Sequence, residues 1–483
     1  MRTLITSLLF AGIFAGPVFA AENARRPNII FILADDAGWG DFGCYGQQKI
    51  RTPSVDRLAA EGMRFTKMYC GNAVCAPSRC TLLTGLHTGH AVVRNNGEIA
   101  GREGQTPMPA ETATSAQLLK KAGYATGIIG KWGLGMPEDH SAPSDFGFDD
   151  HYGYLCQRMA HTYYPPYLWR NNVKEPLPGN PQVTPWDLKG PISAEGKTWS
   201  HTLMADESLR WVRAHKDGPF FLQLSWTTPH LSQQVPDEAL AEYRGAFPET
   251  PYDGSRHYAP QPTPHAAYAA MITRMDRDIG RLLDLLRELK LEENTVVFFA
   301  SDNGAMDKIC GLDVAFFKSN GPFRGGKQEV YDGGIRSPFV VRWPGKIKAG
   351  AVNDHPGAFW DVPATLCELA GAEVPKGDGL SFAPTLLGKP GQAEHPYLYW
   401  EYHGGPGDQA VRLGGADGWK AVRHGIKKNA AAPIELYSLA KDEGEVHDVA
   451  AEHPEIVAKM REIMTAARTP SAVPGWNFPP PAP

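Results

Sequence analysis

The sequence predicts an α/β protein: a large domain with a mixed, mostly parallel central sheet flanked by helices, then a small antiparallel sheet. Three observations carry that expectation. The run PNIIFILADD is apolar without a break from Ile29 to Ala34 and stops on Asp35 and Asp36, the pattern of a strand covered on both faces. Strand-like and helix-like stretches then alternate at the spacing of βαβ units as far as about residue 390. Beyond that point the chain turns to short aromatic and β-branched segments separated by glycine-rich turns.

Ahead of the first strand stands MRTLITSLLFAGIFAGPVFA, with a basic Arg2, an apolar middle and Ala20 before the polar AENARR. That is the build of a secretory signal peptide over 1–20, too short and too broken at Pro17 for a retained anchor. The expected mature protein is periplasmic or secreted, with no membrane partner after cleavage. In NAVCAPSRCTLLTG, Pro77 suits the first turn of a helix that runs from Ser78 to Thr84 and stops near Gly85.

TSAQLLKKAGYATGIIGKWGLG reads as a helix over 115–122, a turn at Gly123 and a strand ending at Lys131. SHTLMADESLRWVRAH is an amphipathic helix, and GPFFLQLSWTTPH is the strand after it, ending at His230. A long helix from His265 leads to a strand over 295–300 and then to Ser301, Asp302, Asn303 and Gly304. HPYLYWEYH, QAVRLGG, WKAVRHG and IELYSLAKD supply the small sheet, and HPEIVAKMREIMTAA a terminal helix. The expected division is a large domain over 26–390, a small α+β subdomain over 391–472 and a proline-rich tail, 473–483, with little to hold it.

A chain of 483 residues exceeds one simple core. Its 42% hydrophobic and 21% charged residues are ordinary for a globular protein. A net charge of -5 argues against a nucleic-acid partner. The 7 cysteines lack a repeated CxxC, which argues against structural zinc or an iron–sulfur cluster. An odd number in an oxidising compartment leaves at least one outside any internal disulfide.

Ligands of open α/β sheets collect beyond the carboxyl ends of the strands. Asp35 with Asp36, His230, and Asp302 with Asn303 end three separate strands. Their oxygens suit a hard cation, calcium or magnesium, better than zinc. The plain alternative is that these residues only close strands and begin turns. Adjacent carboxylates, however, repel each other unless a cation compensates. Lys131, Lys327 and Arg79 bring bases to comparable places; each alone is an ordinary surface charge, and together they would clamp a sulfate or phosphate ester. Cys75 at a helix start, with Arg79 following, suits a bound anion or a thiolate. A plain thiol still matches a hard cation poorly.

CAPSR followed by CTLLTG resembles the signature of the type I, formylglycine-dependent sulfatases. The resemblance runs from about residue 26 to about 450, through PNIIFILADDAGWGDFGCYG, TPSVDRLAAEGMRFTKMYC, LLKKAGYATGIIGKWGLG, TPH, VVFFASDNG and FRGGKQEVYDGGIRSPFVVRWPG in order. It implies an alkaline-phosphatase-like superfold and hydrolysis of a sulfated carbohydrate or aryl sulfate. It further implies that a formylglycine-generating or radical maturation enzyme oxidises Cys75 to Cα-formylglycine. One Ca2+, with Mg2+ the alternative, would be held by Asp35, Asp36, Asp302, Asn303 and the modified Cys75. Arg79 would hold the modified side chain, Lys131 and Lys327 the sulfate oxygens, and His230 the ester region, where it would protonate the leaving alcohol.

The chain departs from the family at Gly133: many members have KWHLG where this sequence has KWGLG. A family subset linked to polysaccharide desulfation also carries glycine there. His87 and His90 are either ordinary loop histidines or substitutes for the missing one. The aromatic stretch 152–172, with Arg158, His161 and Arg170, suits a sulfated sugar or the packing of an insertion; Arg94 joins Arg158 and His161 as a substrate-binding candidate. Two rival readings are a formylglycine-dependent phosphonate or phosphodiester hydrolase and a non-catalytic exported carbohydrate-binding protein.

Overall fold

The computed structural model describes residues 26–99, 101–182, 192, 195–255, 257–306 and 309–479. The leader-like stretch 1–20 lies outside the described residues. In chain order the strands are β1 (Asn28–Ala34), β2 (Met63–Phe65), β3 (Met68–Tyr69), β4 (Ala125–Lys131), β5 (Asp150–Tyr154), β6 (Tyr167–Arg170), β7 (Val173–Pro176) and β8 (Phe220–Ser225). They continue as β9 (Thr295–Ser301), β10 (Phe339–Arg342), β11 (Ala351–Asn353), β12 (Gly357–Ala358), β13 (Tyr397–Tyr402), β14 (Asp408–Leu413), β15 (Trp419–Arg423) and β16 (Ile434–Ser438). A 10-stranded sheet runs β11-β2-β10-β9-β1-β8-β4-β5-β6-β7, and the last four strands form a separate antiparallel sheet.

The unbroken apolar run of β1 has a direct structural cause. Parallel neighbours flank it, with Ile29 opposite Phe221 of β8 and Val296 of β9. Ile30, Ile32 and Ala34 face one core, shared with the helix Pro264–Glu288. Ile29, Phe31 and Leu33 face the other, shared with the helices Cys75–Thr84 and Asp361–Ala370. Both faces are dry, so no polar alternation survives. Truncating Phe31, 1% exposed, to alanine would cost roughly 3–5 kcal/mol.

The small sheet does alternate, because its two faces meet different partners. Leu398 and Trp400 pack with Tyr69, Ile335 and Trp360 of the large domain. Tyr399, between them, packs with Met460 and Met464 of the terminal helix Pro454–Ala466.

Three expectations need correction. The strand β8 stops at Ser225, so His230 sits in a turn five residues later; Pro229, lacking an N–H, cannot continue a ladder. The stretch 152–172 is not one loop but holds part of β5 and the strand β6. Tyr152, Tyr154, Tyr163, Tyr164 and Trp169 in it are buried, which makes most of this aromatic surface packing and not a sugar platform. The tail is anchored as far as residue 479: Trp476 enters a core cluster and Phe478 stacks on His403 with ring centroids 4.3 Å apart. Cys44, Cys70, Cys75, Cys80, Cys156 and Cys367 are free thiols. No helix of the described residues is long and apolar enough to cross a membrane.

Candidate active site at the strand ends

β1 and β9 are adjacent and parallel, so the residues that follow them emerge side by side. Asp35, Asp36, Asp302 and Asn303 are all buried there. Asp36 has φ 66, a left-handed conformation that Asp tolerates better than most residues and that costs of order 1–3 kcal/mol. Asp36 N donates to Asp302 Oδ1 at 3.2 Å, which ties the two strand ends together.

Cys75 is the first residue of the helix Cys75–Thr84, one turn earlier than the sequence suggests. Val74 caps it without a side-chain bond, and Asn96 Oδ1 accepts from Ala76 N at 2.9 Å. Ser78 Oγ donates to Asp302 O at 2.5 Å, fixing the helix start against β9. Cys75 Sγ then lies 3.4 Å from Asp35 Oδ1 and 4.0 Å from Asp36 Oδ1.

The i, i+4 spacing puts Arg79 on the same helix face as Cys75. Its Nε and Nη2 donate to Asp302 Oδ2 at 3.0 and 2.8 Å, and its Nη1 to Lys131 O at 2.9 Å. Lys131 Nζ donates to Asp35 Oδ2 at 2.6 Å and Lys327 Nζ to Asp36 Oδ2 at 2.8 Å. His230 Nε2 stands 3.5 Å from Asp36 Oδ2. Its Nδ1 bonds Leu231 O, an acceptor, so the proton sits on Nδ1 and Nε2 is the lone-pair nitrogen toward the cluster.

Burial opposes ionisation of Asp35, but Lys131, His230, Arg79 and Lys327 outweigh it and hold the carboxyl well below its usual range. Burial and then the Asp35 charge push Asp302 up to about 7, against the pull of Arg79. Two carboxylates in this relation are waiting for positive charge. Burial, followed by the Lys327 charge, lowers His230 to about 4, so it is neutral near pH 7. Burial, with Asp35 beside it, pushes the Cys75 thiol far up, which makes the unmodified side chain a poor nucleophile.

Asn303 Oδ1 is buried and has no hydrogen-bond partner. Asp35, Asp36, Cys75 and His230 bring possible ligand atoms within 4.8 Å of one another, and Asp302 and Asn303 are hydrogen-bonded to Asp36. The oxygens among these donors are hard, and the set fits a divalent cation of the calcium or magnesium kind. Every residue named for the metal and the sulfate therefore meets in one place: Asp35, Asp36, Cys75, Arg79, Lys131, His230, Asp302, Asn303 and Lys327.

The substrate candidates divide. His161 reaches the site, its ring stacked on His230 at 5.1 Å and its Nδ1 2.8 Å from His257 Nε2. Arg158 pairs with Glu98, both part-exposed. Arg94 does not serve: it is 2% exposed, and its Nη1 donates to Glu401 Oε1 at 2.8 Å and its Nε to Ala91 O at 2.9 Å. Those bonds, not a substrate, occupy its guanidinium. His87 and His90 lie past the far end of the helix Cys75–Thr84, about 14 Å along its axis from Cys75. Their rings stack on each other at 4.3 Å and His90 Nδ1 meets Asp378 at 2.9 Å. They do not replace the missing histidine.

Gly133 has a physical reason. Its φ is 73, and a Cβ there would lie 2.6 Å from Gln157 Cγ. Gln157 fills the space a side chain at 133 would need, and its main-chain N is held by Gln105 Oε1 at 2.8 Å. Gln157, Asn96, His257 and Tyr258, whose ring lies 5.2 Å from that of His161, carry no local signal in the sequence. The one available hint was Gly133 itself, since a lost side chain leaves room that some neighbour must take.

Comparison with known proteins agrees with this arrangement. A family model described as Sulfatase matches residues 27–372, and one described as N-sulphoglucosamine sulphohydrolase, C-terminal, matches residues 325–469. N-acetylgalactosamine-6-sulfatase of Rattus norvegicus is 33% identical over 447 residues, 87% of this chain and 78% of the relative. N-acetylgalactosamine-6-O-sulfatase of Bacteroides thetaiotaomicron is 29% identical over 519 residues, 93% and 94% of the two chains. The crystal structure of Ps i-CgsB in complex with k-i-k-neocarrahexaose superposes with a TM-score of 0.75 at 26% identity, covering 95% of this chain and 94% of the other.

Proposed function

The chain belongs to the sulfatase family and is a sulfuric ester hydrolase, and we propose that it desulfates a sugar using formylglycine made from Cys75. The observation that carries this is Cys75 at a helix start, 3.4 Å from Asp35 Oδ1 and 4.0 Å from the Asp36 Oδ1 that accepts from Asn303, whose own Oδ1 is partnerless. Two relatives from distant organisms, named for N-acetylgalactosamine 6-sulfate, support a 6-O-sulfated amino sugar or galactose unit as substrate.

A cation held by Asp35, Asp36, Asp302 and Asn303, calcium by preference, would polarise a sulfate oxygen and neutralise charge. Three carboxylates and three strong bases already balance in this site. An added dication is then matched by the ester monoanion and the negative charge growing on the attacking oxygen. Lys131 and Lys327, which here donate to Asp35 and Asp36, would turn to the sulfate oxygens once a cation takes those carboxylates. Arg79, held by Asp302 and Lys131 O, keeps the modified side chain in line. One hydroxyl of the hydrated aldehyde forms a bond to sulfur as the ester S–O bond breaks. The proton that the attacking hydroxyl gives up would be taken by the lone pair of His230 Nε2 and passed on to the leaving alkoxide oxygen. Loss of the second hydroxyl proton to water would re-form the aldehyde as the C–O bond to sulfate breaks, an elimination a serine could not perform.

The assembled site and the family favour an enzyme over an exported binding protein. Location in the periplasm or outside the cell is proposed from the leader-like stretch 1–20 alone. The test is sulfate release from 6-sulfated N-acetylgalactosamine, galactose and N-acetylglucosamine, before and after chelation and calcium repletion. Release that chelation abolishes and calcium restores is expected. No release from any of these refutes the carbohydrate reading, and faster cleavage of the matched phosphonate ester favours the rival hydrolase.

A further inference from the structure

A cleft of about 610 Å³ lies in the seam between the edge of the large sheet and the small sheet. Lys67 and His355 line it from the large-sheet side, Arg336 from the segment before β10, and Arg412 from β14, with the carboxylates of Asp354, Glu394 and Glu443 in the same lining. Arg412 is 4% exposed. Its Nη1 donates to Leu413 O at 3.2 Å, its Nε has no hydrogen-bond partner, and among the described residues no carboxylate pairs with it. The Tyr69 ring, 5.9 Å from the guanidinium carbon, is at the limit of useful cation–π distance. The other bases of the cleft are matched: Lys67 with Asp354 at 3.2 Å, and Arg336 with Asp332 at 2.6 Å and Glu443 at 3.6 Å. Arg412 is the buried base left without a carboxylate, since the remaining acid of the lining, Glu394, is exposed to solvent, and a buried unpaired charge is costly enough to need a reason.

The topology says where the cleft sits. β9 is parallel to β1, β10 is antiparallel to both β9 and β2, and β11 is parallel to β2. β2 and β11 therefore point the same way as β1. Lys67 and His355, just past their carboxyl ends, lie on the same rim as Asp35 and Asp302. β2 is three strands from β1 and β11 is four, a lateral offset of roughly 14–19 Å at ordinary strand spacing.

We propose that this cleft is an accessory oxyanion site that takes a sulfate group, with Arg412 as its buried anchor and Lys67 as its rim charge. A guanidinium fork matches a sulfate edge through paired N–H donors. The sulfate comes either from a further substituent on the glycan chain bound at Cys75 or from free sulfate. The first source rests on the sulfated-sugar reading above; the site itself does not.

Two experiments on the full chain decide it. Crystals soaked in sodium selenate should show an anomalous peak within hydrogen-bond distance of Arg412 Nε, and no peak there at saturating selenate overturns the site. In solution, sulfate at constant ionic strength should raise the melting temperature of the wild type more than that of Arg412→Met or Lys67→Gln. An equal rise in all three overturns the site, and Lys67→Gln, on a part-exposed residue, keeps the test alive should Arg412→Met not fold. The source is read from kcat/KM. A tenfold loss by Arg412→Met on a sulfated tetrasaccharide, with a 6-sulfated monosaccharide unchanged, assigns the glycan. No loss on either, with the sulfate response gone, assigns free sulfate. If the wild type cleaves neither sugar, the function reading fails while the selenate and melting tests still decide the cleft.

Discussion

Two buried charge clusters in this molecule use the same residue types toward opposite ends. Around Glu401 on β13, each carboxylate oxygen has two partners: Arg94 Nη1 at 2.8 Å and His403 Nε2 at 2.9 Å on Oε1, Tyr399 OH and Arg468 Nε at 2.8 Å on Oε2. Nothing is left over on that carboxylate, and the cluster ties the small sheet to the loop after the helix Cys75–Thr84. The strand-end cluster is left open. Asn303 Oδ1 has no partner, Asp35 and Asp302 oppose each other's ionisation, and Asp36 holds a left-handed backbone. Around Glu401 the acceptor oxygens are all taken, and among the described residues only the donor-side atoms His403 Nδ1 and Arg468 Nη2 lack partners. A cluster whose oxygen acceptors are met holds parts together, and one that leaves a buried oxygen unmet holds a place for a cation.

The largest effect that separates the two is on rate. Cys75→Ala should remove at least about 10⁴-fold of sulfate release, the scale of losing a nucleophile, with the urea midpoint unmoved. A comparable loss of stability would make Cys75 structural and break the contrast. Glu401→Gln should do the reverse. It strands Arg94 and Arg468 without counter-charge and should cost roughly 3–5 kcal/mol in denaturant unfolding, while kcat of the folded protein holds. An unchanged midpoint would show that the Glu401 cluster does not hold the small sheet.

Acid titration sharpens the same point. Burial would raise Glu401, yet the hydrogen bonds from His403 and Arg468 and the nearby arginine charges bring it from 4.5 down to about 2. A carboxyl depressed on folding contributes stability above its unfolded value and loses it as pH falls through its folded one. The wild type should therefore lose about 3 kcal/mol between pH 4.5 and pH 2, and Glu401→Gln should lose less. Parallel pH profiles for the two proteins would contradict the assignment. A smaller effect belongs to Gly133→His, which forces a side chain into a left-handed backbone against Gln157 and should cost about 1–3 kcal/mol. Higher activity in that variant would mean that the space is not taken after all.

Much of the strand-end cluster was legible because its residues follow strands whose apolar runs are themselves local signals. β1, β9 and the helix Ser200–His215 could be read directly, and the acids after β1 and β9 came with them. Arg94 was misread because an arginine near Cys75 in sequence looks available, while its partner Glu401 lies 307 residues away. Asn96 reaches the start of the Cys75 helix and His257 reaches His161 from unrelated segments, as Gln157 reaches Gly133, and no period or spacing announces such a meeting. The tail looked loose because proline dominates it; the burial of Trp476 and Phe478 depends on surfaces that only the folded chain presents.

The central claim is that Cys75 does not remain a cysteine. It is tested most directly by the mass of the tryptic peptide 68–79 from protein made in its natural host, set beside the activity of the same sample. The expected result is a peptide in which an aldehyde oxygen has replaced the thiol of Cys75, with activity proportional to the modified fraction. Full sulfate release from a sample whose Cys75 carries an intact thiol would contradict the account.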